Sequence, residues 1–151
     1  MKTTWDLSKL FASDSDPEIA GMRAETECRV RAFAAKWEQS DAYVKSSDAL
    51  FEALTEYEML NREYGTGERV GYYWWLRSVQ DQNDATVRGK LNEVMEWGIK
   101  LGNEIQFFPI RVARLEKTMR EKVLVDPRFA PFKHYLERAF AEADHLLSEP
   151  E

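Results

Sequence analysis

The two histidines are the residues of this chain with the clearest potential for metal chemistry. Zinc-dependent hydrolysis of the zincin type needs His-Glu-x-x-His, which places two imidazoles on one helix face with a glutamate beside the attacking water. His134 and His145 lie eleven residues apart, and neither is followed by glutamate. We therefore expect no catalytic residue and no zinc ligand of this type in the chain.

A carboxylate-bridged pair of metal ions is the next candidate, because helical bundles can hold such centres. It needs two Glu-x-x-His pairs and two further glutamates from facing helices. Glu142 and His145 form one such pair, but Pro131 occupies the position where His134 would need its glutamate. One three-residue spacing arises readily by chance among 27 acidic residues. The sequence predicts no metal site of this kind either.

Nucleophilic catalysis has little support in the sequence. Cys28 is the only cysteine, which excludes an internal disulfide and fits a reducing compartment; its helical surroundings favour a structural role. No Gly-x-Ser-x-Gly motif or phosphate-binding glycine loop is present, and Gly65-Thr66-Gly67 is typical of a turn between helices. A Ser-His-Asp triad is recognised by its geometry, so the sequence leaves that alternative open.

The run Tyr72-Tyr73-Trp74-Trp75-Leu76 has two interpretations. Tyr72 and Trp75 could line a groove in which aromatic rings stack on the side chains of a ligand. Alternatively, aromatic residues at helical spacing form core. Because the helix is apolar nearly all round, we expect it to be sandwiched between neighbouring elements.

Composition and charge restrict the function classes. The chain has 151 residues, of which 44% are hydrophobic and 13% aromatic, as expected for one packed domain. The net charge is -6, and acidic and basic residues are interleaved along the chain. The sequence therefore shows no basic stripe of the kind that binds nucleic acids or anionic membranes. No signal peptide and no apolar run long enough to span a bilayer is visible, so we expect a cytoplasmic protein.

Helical periodicity dominates the sequence, and we predict an all-α antiparallel bundle of about five helices forming a single domain, 1–151. The first helix begins at Asp16-Pro17-Glu18, the second near Ser47 or Asp48, the third covers Glu68 to Val79, and the last covers Pro131 to Ala143.

The fourth helix is predicted to be the longest. Asp84 caps it, and its apolar positions alternate steps of four and three from Val87 to Met119. Pro109 lies inside this pattern, where it removes a backbone hydrogen bond. Because the register continues on both sides of Pro109, we expect one long kinked helix.

The end of the sequence has the form of a helix start. Ser148-Glu149-Pro150-Glu151 places an N-cap serine before a proline in the first turn and a glutamate three residues later. We expect a further segment to follow this start signal.

Several short motifs, in consistent order along nearly the whole chain, carry a resemblance. They are Trp5-Asp6-Leu7-Ser8-Lys9-Leu10-Phe11, Asp81-Gln82-Asn83-Asp84, Phe107-Phe108 with Leu115, His134-Tyr135-Leu136-Glu137-Arg138, and Leu147-Ser148-Glu149-Pro150-Glu151. In this order they resemble the N-terminal helical region of oligoendopeptidase F-like zinc metallopeptidases.

The resemblance implies a cytoplasmic hydrolase that cuts oligopeptides in a channel between two halves. The N-terminal half would form one channel wall, and Ser148, Glu149, Pro150 and Glu151 would join it to the catalytic domain. Zn²⁺ and its ligands would belong to the rest of a full-length family member, so this chain alone would not be catalytic. The missing catalytic domain would then be its partner, and an exposed docking face would also permit a homo-oligomer.

Two other interpretations remain open. The chain could be a stand-alone peptide- or protein-binding helical module that lacks the catalytic half. It could also be an independent enzyme with a triad that the sequence does not reveal.

Overall fold

The protein is all-α throughout the residues that its computed structural model describes, 5–64 and 68–146, without the side chains of 63, 64, 68 and 144–146. Their α-helices are α1 Pro17–Trp37, α2 Ala42–Lys45, α3 Ser47–Met59, α4 Glu68–Gln80, α5 Ala85–Ile105, α6 Phe107–Ala113, α7 Lys117–Val125 and α8 Lys133–Leu146. A π-helical turn, Leu60–Tyr64, follows α3, and a 3-10 helix, Pro127–Phe132, precedes α8. The predicted fold class is confirmed; short helices such as α2 raise the number above five.

The chain divides into two compact units. Unit 1 comprises 1–32 and 60–104, and unit 2 comprises 33–59 and 105–151. The single domain that the sequence predicts stays a prediction.

Two helices of unit 1, α1 and α5, have starts that are fixed by aspartate caps. The Asp16 carboxylate accepts hydrogen bonds from the backbone N–H groups of Ala12 at 2.7 Å and Glu18 at 2.9 Å, which lowers the pKa of Asp16. Asp84 accepts from the N–H groups of Thr86 and Val87 at 2.8 and 3.1 Å. The bonds from Glu18, Thr86 and Val87 satisfy donors that the first helical turn leaves unpaired. The core of this unit includes Ile19, Val30, Val70, Tyr73, Trp74, Val87, Val94 and Leu101.

Unit 2 has an aromatic core centred on Phe108, which is fully buried. Its ring centroid lies 5.3 Å from that of Phe33, 5.2 Å from that of Tyr43 and 4.8 Å from that of Tyr57. Edge-to-face and tilted contacts of this kind add to the free energy gained by burying aromatic surface. Other buried residues of this unit include Leu50, Leu54, Val112, Phe129 and Leu136.

The long kinked helix predicted from Val87 to Met119 is interrupted twice. α5 ends at Ile105 and α6 begins at Phe107, although Gln106 between them keeps helical angles (φ -63, ψ -23). Pro109 explains this position because it cannot donate to the carbonyl of Ile105, four residues earlier, and its ring crowds that group. The first interruption therefore lies next to the proline, where the sequence predicts that the helical hydrogen-bond pattern is broken.

A second interruption separates α6 from α7. The guanidinium group of Arg120 donates hydrogen bonds to the carbonyl oxygens of Leu115 at 2.6 Å and Ala113 at 3.0 Å. These bonds satisfy acceptors at the end of α6, where the helical ladder stops. Leu115 is still buried, so the apolar pattern continues through a segment that is not helical.

Within 5–64 and 68–146, no helix combines the length and the apolar character needed to cross a membrane.

Candidate functional site

Helix α4 presents an exposed aromatic surface in unit 1. Tyr72 is 53% exposed and Trp75 is 49% exposed, and Val79 one turn further is exposed as well. The Tyr72 and Trp75 rings stack with their centroids 5.8 Å apart and their planes at 21°. We call these three residues the aromatic face.

The aromatic run is divided between surface and core. Tyr73 and Trp74 are 2% and 4% exposed, as the core interpretation requires, whereas Tyr72 and Trp75 are exposed. The expectation that α4 is covered on every side is therefore wrong for the aromatic face. A helix places adjacent residues about 100° apart, so a run of four aromatic residues must point in several directions. That Tyr72 and Trp75 line a ligand groove stays a prediction.

A second side of α4 holds the N-terminal segment, 5–16, through residues spaced by four. The guanidinium group of Arg69 donates to the carbonyl oxygen of Leu10, forms an ion pair with Glu18 at 2.7 Å, and lies 4.7 Å from the centroid of the Phe11 ring. One arginine thereby connects α4 to the segment and to the start of α1.

Asp14 receives three donors from the same side of α4. Tyr73 donates its hydroxyl to Asp14 at 2.6 Å, and Arg77 donates Nε and Nη2 to the two carboxylate oxygens at 2.7 and 2.8 Å. The Arg77 guanidinium, helped by the Tyr73 hydroxyl, lowers the pKa of Asp14. Burial, reinforced by the Asp14 carboxylate, raises the pKa of Tyr73 to about 12. These contacts fix the rotation of α4 and so keep the aromatic face pointing outward.

Gln80 extends this network by donating Nε2 to the carbonyl oxygen of Trp5 at 2.7 Å. The Trp5 side chain is itself 45% exposed. The N-terminal segment thus adds a further exposed indole to unit 1.

Unit 2 contains an open groove of about 560 Å³ along α6 and α8, which we call the α6–α8 groove. Its lining residues are Gln106, Pro109, Ile110, Ala113, Arg114, Tyr135, Arg138, Ala139, Glu142 and Ala143. The volume lies within the range of ligand-binding clefts in proteins. Sequence reasoning missed this groove, although small residues at helical spacing on two helices, such as Ala113, Ala139 and Ala143, are a signal that could have indicated it.

The polar groups of the groove are arranged unevenly. Arg138 pairs with Glu142 at 3.2 Å on the α8 side. Arg114, at the end of α6, has no ion pair or side-chain hydrogen bond to any residue of the described ranges. The Tyr135 hydroxyl is buried without a hydrogen-bond partner there, and burial, with Tyr57 contributing, raises the pKa of Tyr135 to about 12.

The residues that could bind metal do not come together in the described part of the chain, where no group of three or more His, Cys, Asp or Glu side chains has the required proximity. His134 is exposed at the start of α8, and Cys28 is exposed on α1. The side chain of His145 and the junction residues Ser148, Glu149, Pro150 and Glu151 lie outside the described residues.

Comparison with known proteins identifies two similar proteins from Lactococcus lactis. They are the plasmid oligoendopeptidase F of subspecies cremoris and an oligoendopeptidase F homologue of subspecies lactis strain IL1403. Each is 24% identical over 153 residues, a match that covers 99% of this chain. The chain is similar to a segment of oligoendopeptidase F.

The similarity agrees with the resemblance seen in the short motifs and extends over nearly the whole chain. This chain spans 24% of the length of each relative. No protein-family profile matches the chain, and no solved structure matches it.

Proposed function

We propose that this chain is the N-terminal, non-catalytic helical domain of an oligoendopeptidase F-like zinc metallopeptidase, where it forms one wall of the channel for oligopeptide substrates. The supporting observation is the match to oligoendopeptidase F along 99% of the chain. The helical fold and the exposed aromatic face are compatible with a surface that contacts peptides without acting on them.

The aromatic face supplies the contact in this proposal. Tyr72 and Trp75 combine exposed apolar rings with polar edges, and such residues are enriched where proteins bind peptides and other proteins. The bonds of Arg69, Tyr73 and Arg77 to the N-terminal segment hold α4 in one orientation. A surface held in this way loses little conformational entropy when a peptide binds.

Zinc chemistry is assigned to the remainder of the peptidase. The described residues offer no set of ligands that fits a zinc ion. In this proposal the zinc, its ligands and the general base come from sequence outside this chain, whose own residues bind and orient the substrate.

If the chain forms one wall of the substrate channel, the isolated chain should bind short, extended oligopeptides weakly. Titration with a mixed oligopeptide library should change the tryptophan fluorescence, and ¹⁵N NMR shifts should concentrate around Tyr72 and Trp75. Trp75→Ala should weaken the binding about tenfold, because one aromatic contact accounts for much of a small interface. The binding assay should show no hydrolysis products.

Met95→Ala is a matched control, because Met95 is also an exposed apolar residue of unit 1 but belongs to α5. It should leave the affinity for oligopeptides unchanged. A wild-type protein that shows neither fluorescence nor NMR changes would overturn the role of the aromatic face.

A chimera tests the peptidase context. This chain replaces the matched segment of the Lactococcus lactis oligoendopeptidase F, and hydrolysis of a fluorogenic oligopeptide is measured. We expect activity to be retained, with a higher KM when Trp75→Ala is introduced. A folded but inactive chimera, combined with peptide binding by the isolated chain, would instead support the stand-alone binding module.

A further inference from the structure

The α6–α8 groove has the geometry of a site in which a third helix could pack. On the α6 side its lining residues fall at 106, 109, 110, 113 and 114, and on α8 at 135, 138, 139, 142 and 143. Both series follow the steps of three and four that mark one face of a helix. Two such faces side by side form the ridges between which another helix packs.

The lining residues of the groove extend over about two helical turns on each side. From Gln106 to Arg114 a helix rises about 12 Å, and the same holds from Tyr135 to Ala143. The lining includes the short side chains of Ala113, Ala139 and Ala143. Their small size leaves room for apolar side chains from an element that lies above them.

The backbone chemistry of the groove favours a helix over an extended peptide. A strand pairs its N–H and C=O groups with a free backbone edge, as in β-strand addition. The walls here are the helices α6 and α8, and a helix offers no free strand edge for such pairing. An extended peptide would leave its own backbone groups unpaired on an apolar floor, whereas a helix satisfies them internally.

The charged residues that line the groove indicate where a bound helix would carry an acidic side chain. Arg138 is already paired with Glu142, while Arg114 has no acidic partner within the described ranges. An arginine of this kind forms charge-assisted bonds with a carboxylate that approaches it. The side chain of Ile110, 44% exposed, supplies apolar surface beside this position.

We propose that the α6–α8 groove binds an amphipathic helix with apolar residues one turn apart and a carboxylate positioned over Arg114. The occupant belongs to the part of the peptidase that this chain does not cover, so the inference rests on the proposed function. Because the chain spans 24% of each relative's length, such a peptidase has further sequence to pack against this domain.

Tiled peptides provide the test. Overlapping synthetic peptides from the Lactococcus lactis oligoendopeptidase F, taken outside the matched segment, are titrated into the ¹⁵N-labelled chain. We expect at least one to shift the amide signals of Ile110, Ala113 and Ala139 and to become helical when bound. Its sequence should contain an acidic residue and apolar residues at steps of three or four.

Three variants locate the binding. Ile110→Glu, at a position that is already exposed, and Ala139→Trp, which fills the groove, should each weaken binding about tenfold or more. Arg114→Gln should weaken it and reduce its salt dependence. Arg88→Gln is the matched control, because Arg88 is an exposed arginine of unit 1, and it should have no effect. Circular dichroism confirms that each variant is folded.

Several outcomes would overturn the proposal. They are the absence of groove shifts with every peptide, binding that Ile110→Glu leaves intact, and a bound peptide that stays extended. Groove shifts that depend on protein concentration without peptide would assign the groove to a second copy of the chain. An inactive chimera alongside helix binding would reject the peptidase context but not the groove, and an active chimera without helix binding would reject the groove alone.

Discussion

At the scale of single residues, Asp14 connects the N-terminal segment to the helix that carries the aromatic face. Its carboxylate accepts from Tyr73 and makes a two-point contact with Arg77. The pair is half-exposed, since the Asp14 side chain is 41% accessible, so solvent screens part of the attraction. Its role is therefore to orient α4 more than to stabilise the fold.

Replacing Asp14→Asn should lower the free energy of unfolding by about 1 kcal/mol, because a charge-assisted contact is lost from a partly exposed site. It should also reduce the peptide affinity of the aromatic face, since α4 loses an orienting contact. Urea unfolding and the oligopeptide titration measure these effects. Glu96→Gln, at an exposed position of α5, is the control and should change neither quantity.

The pH dependence of this contact has a defined sign. The pKa of Asp14 is lowered by folding from its ordinary 3.8, so the native state favours the ionised form. The stabilisation is present above the unfolded pKa and is lost as the pH falls below 3.8 through the folded pKa. The stability difference between wild type and Asp14→Asn should therefore shrink on acidification. A difference that stays constant below that pH would contradict this assignment.

At the scale of elements, Pro109 divides one helical pattern into α5 and α6. Pro109→Ala should restore an N–H group that donates to Ile105, join the two helices, and raise the free energy of unfolding by about 1 kcal/mol. Slow hydrogen exchange of the new amide at residue 109 would report the join. Gly89→Ala, in open space on α5, is a control that stabilises without joining the two helices. An unprotected amide at residue 109 would show that packing, not proline, determines the break.

The helices and the surfaces they form differ in how well they can be predicted from the sequence. The sequence predicts helix starts at Asp16 and Asp84 because a cap and its helix are neighbours in sequence. The run Tyr72–Trp75 was ambiguous, because its outward side is selected by Asp14, which lies 59 residues before its partner Tyr73. The α6–α8 groove was missed for the same reason, since Ile110 and Ala139 come together only through packing. Local sequence signals are sufficient to predict the helices. The exposed surfaces depend on contacts between residues that are far apart in the sequence.

At the scale of the whole molecule, the described residues form a helical scaffold without a grouped set of metal ligands. Zinc should therefore leave the Tm of the isolated chain unchanged, because a metal stabilises a protein only when it binds the native state more tightly than the unfolded state. Thermal unfolding with and without zinc measures this, and a chelator-treated sample is the control. A rise of several degrees in Tm would reveal a zinc site and contradict the assignment of zinc to other sequence.

The connection between the N-terminal segment and α4 has a consequence for protein synthesis. Asp14 leaves the ribosome before its partners Tyr73 and Arg77, which lie 59 and 63 residues later. At a bacterial or eukaryotic elongation rate, this interval lasts on the order of 3 to 12 s. During that time Phe11 cannot be covered by the Arg69 guanidinium, because α4 does not yet exist. The N-terminal segment is thus translated before the helix that it contacts, and a nascent chain must keep Phe11 and Asp14 without these partners until α4 emerges.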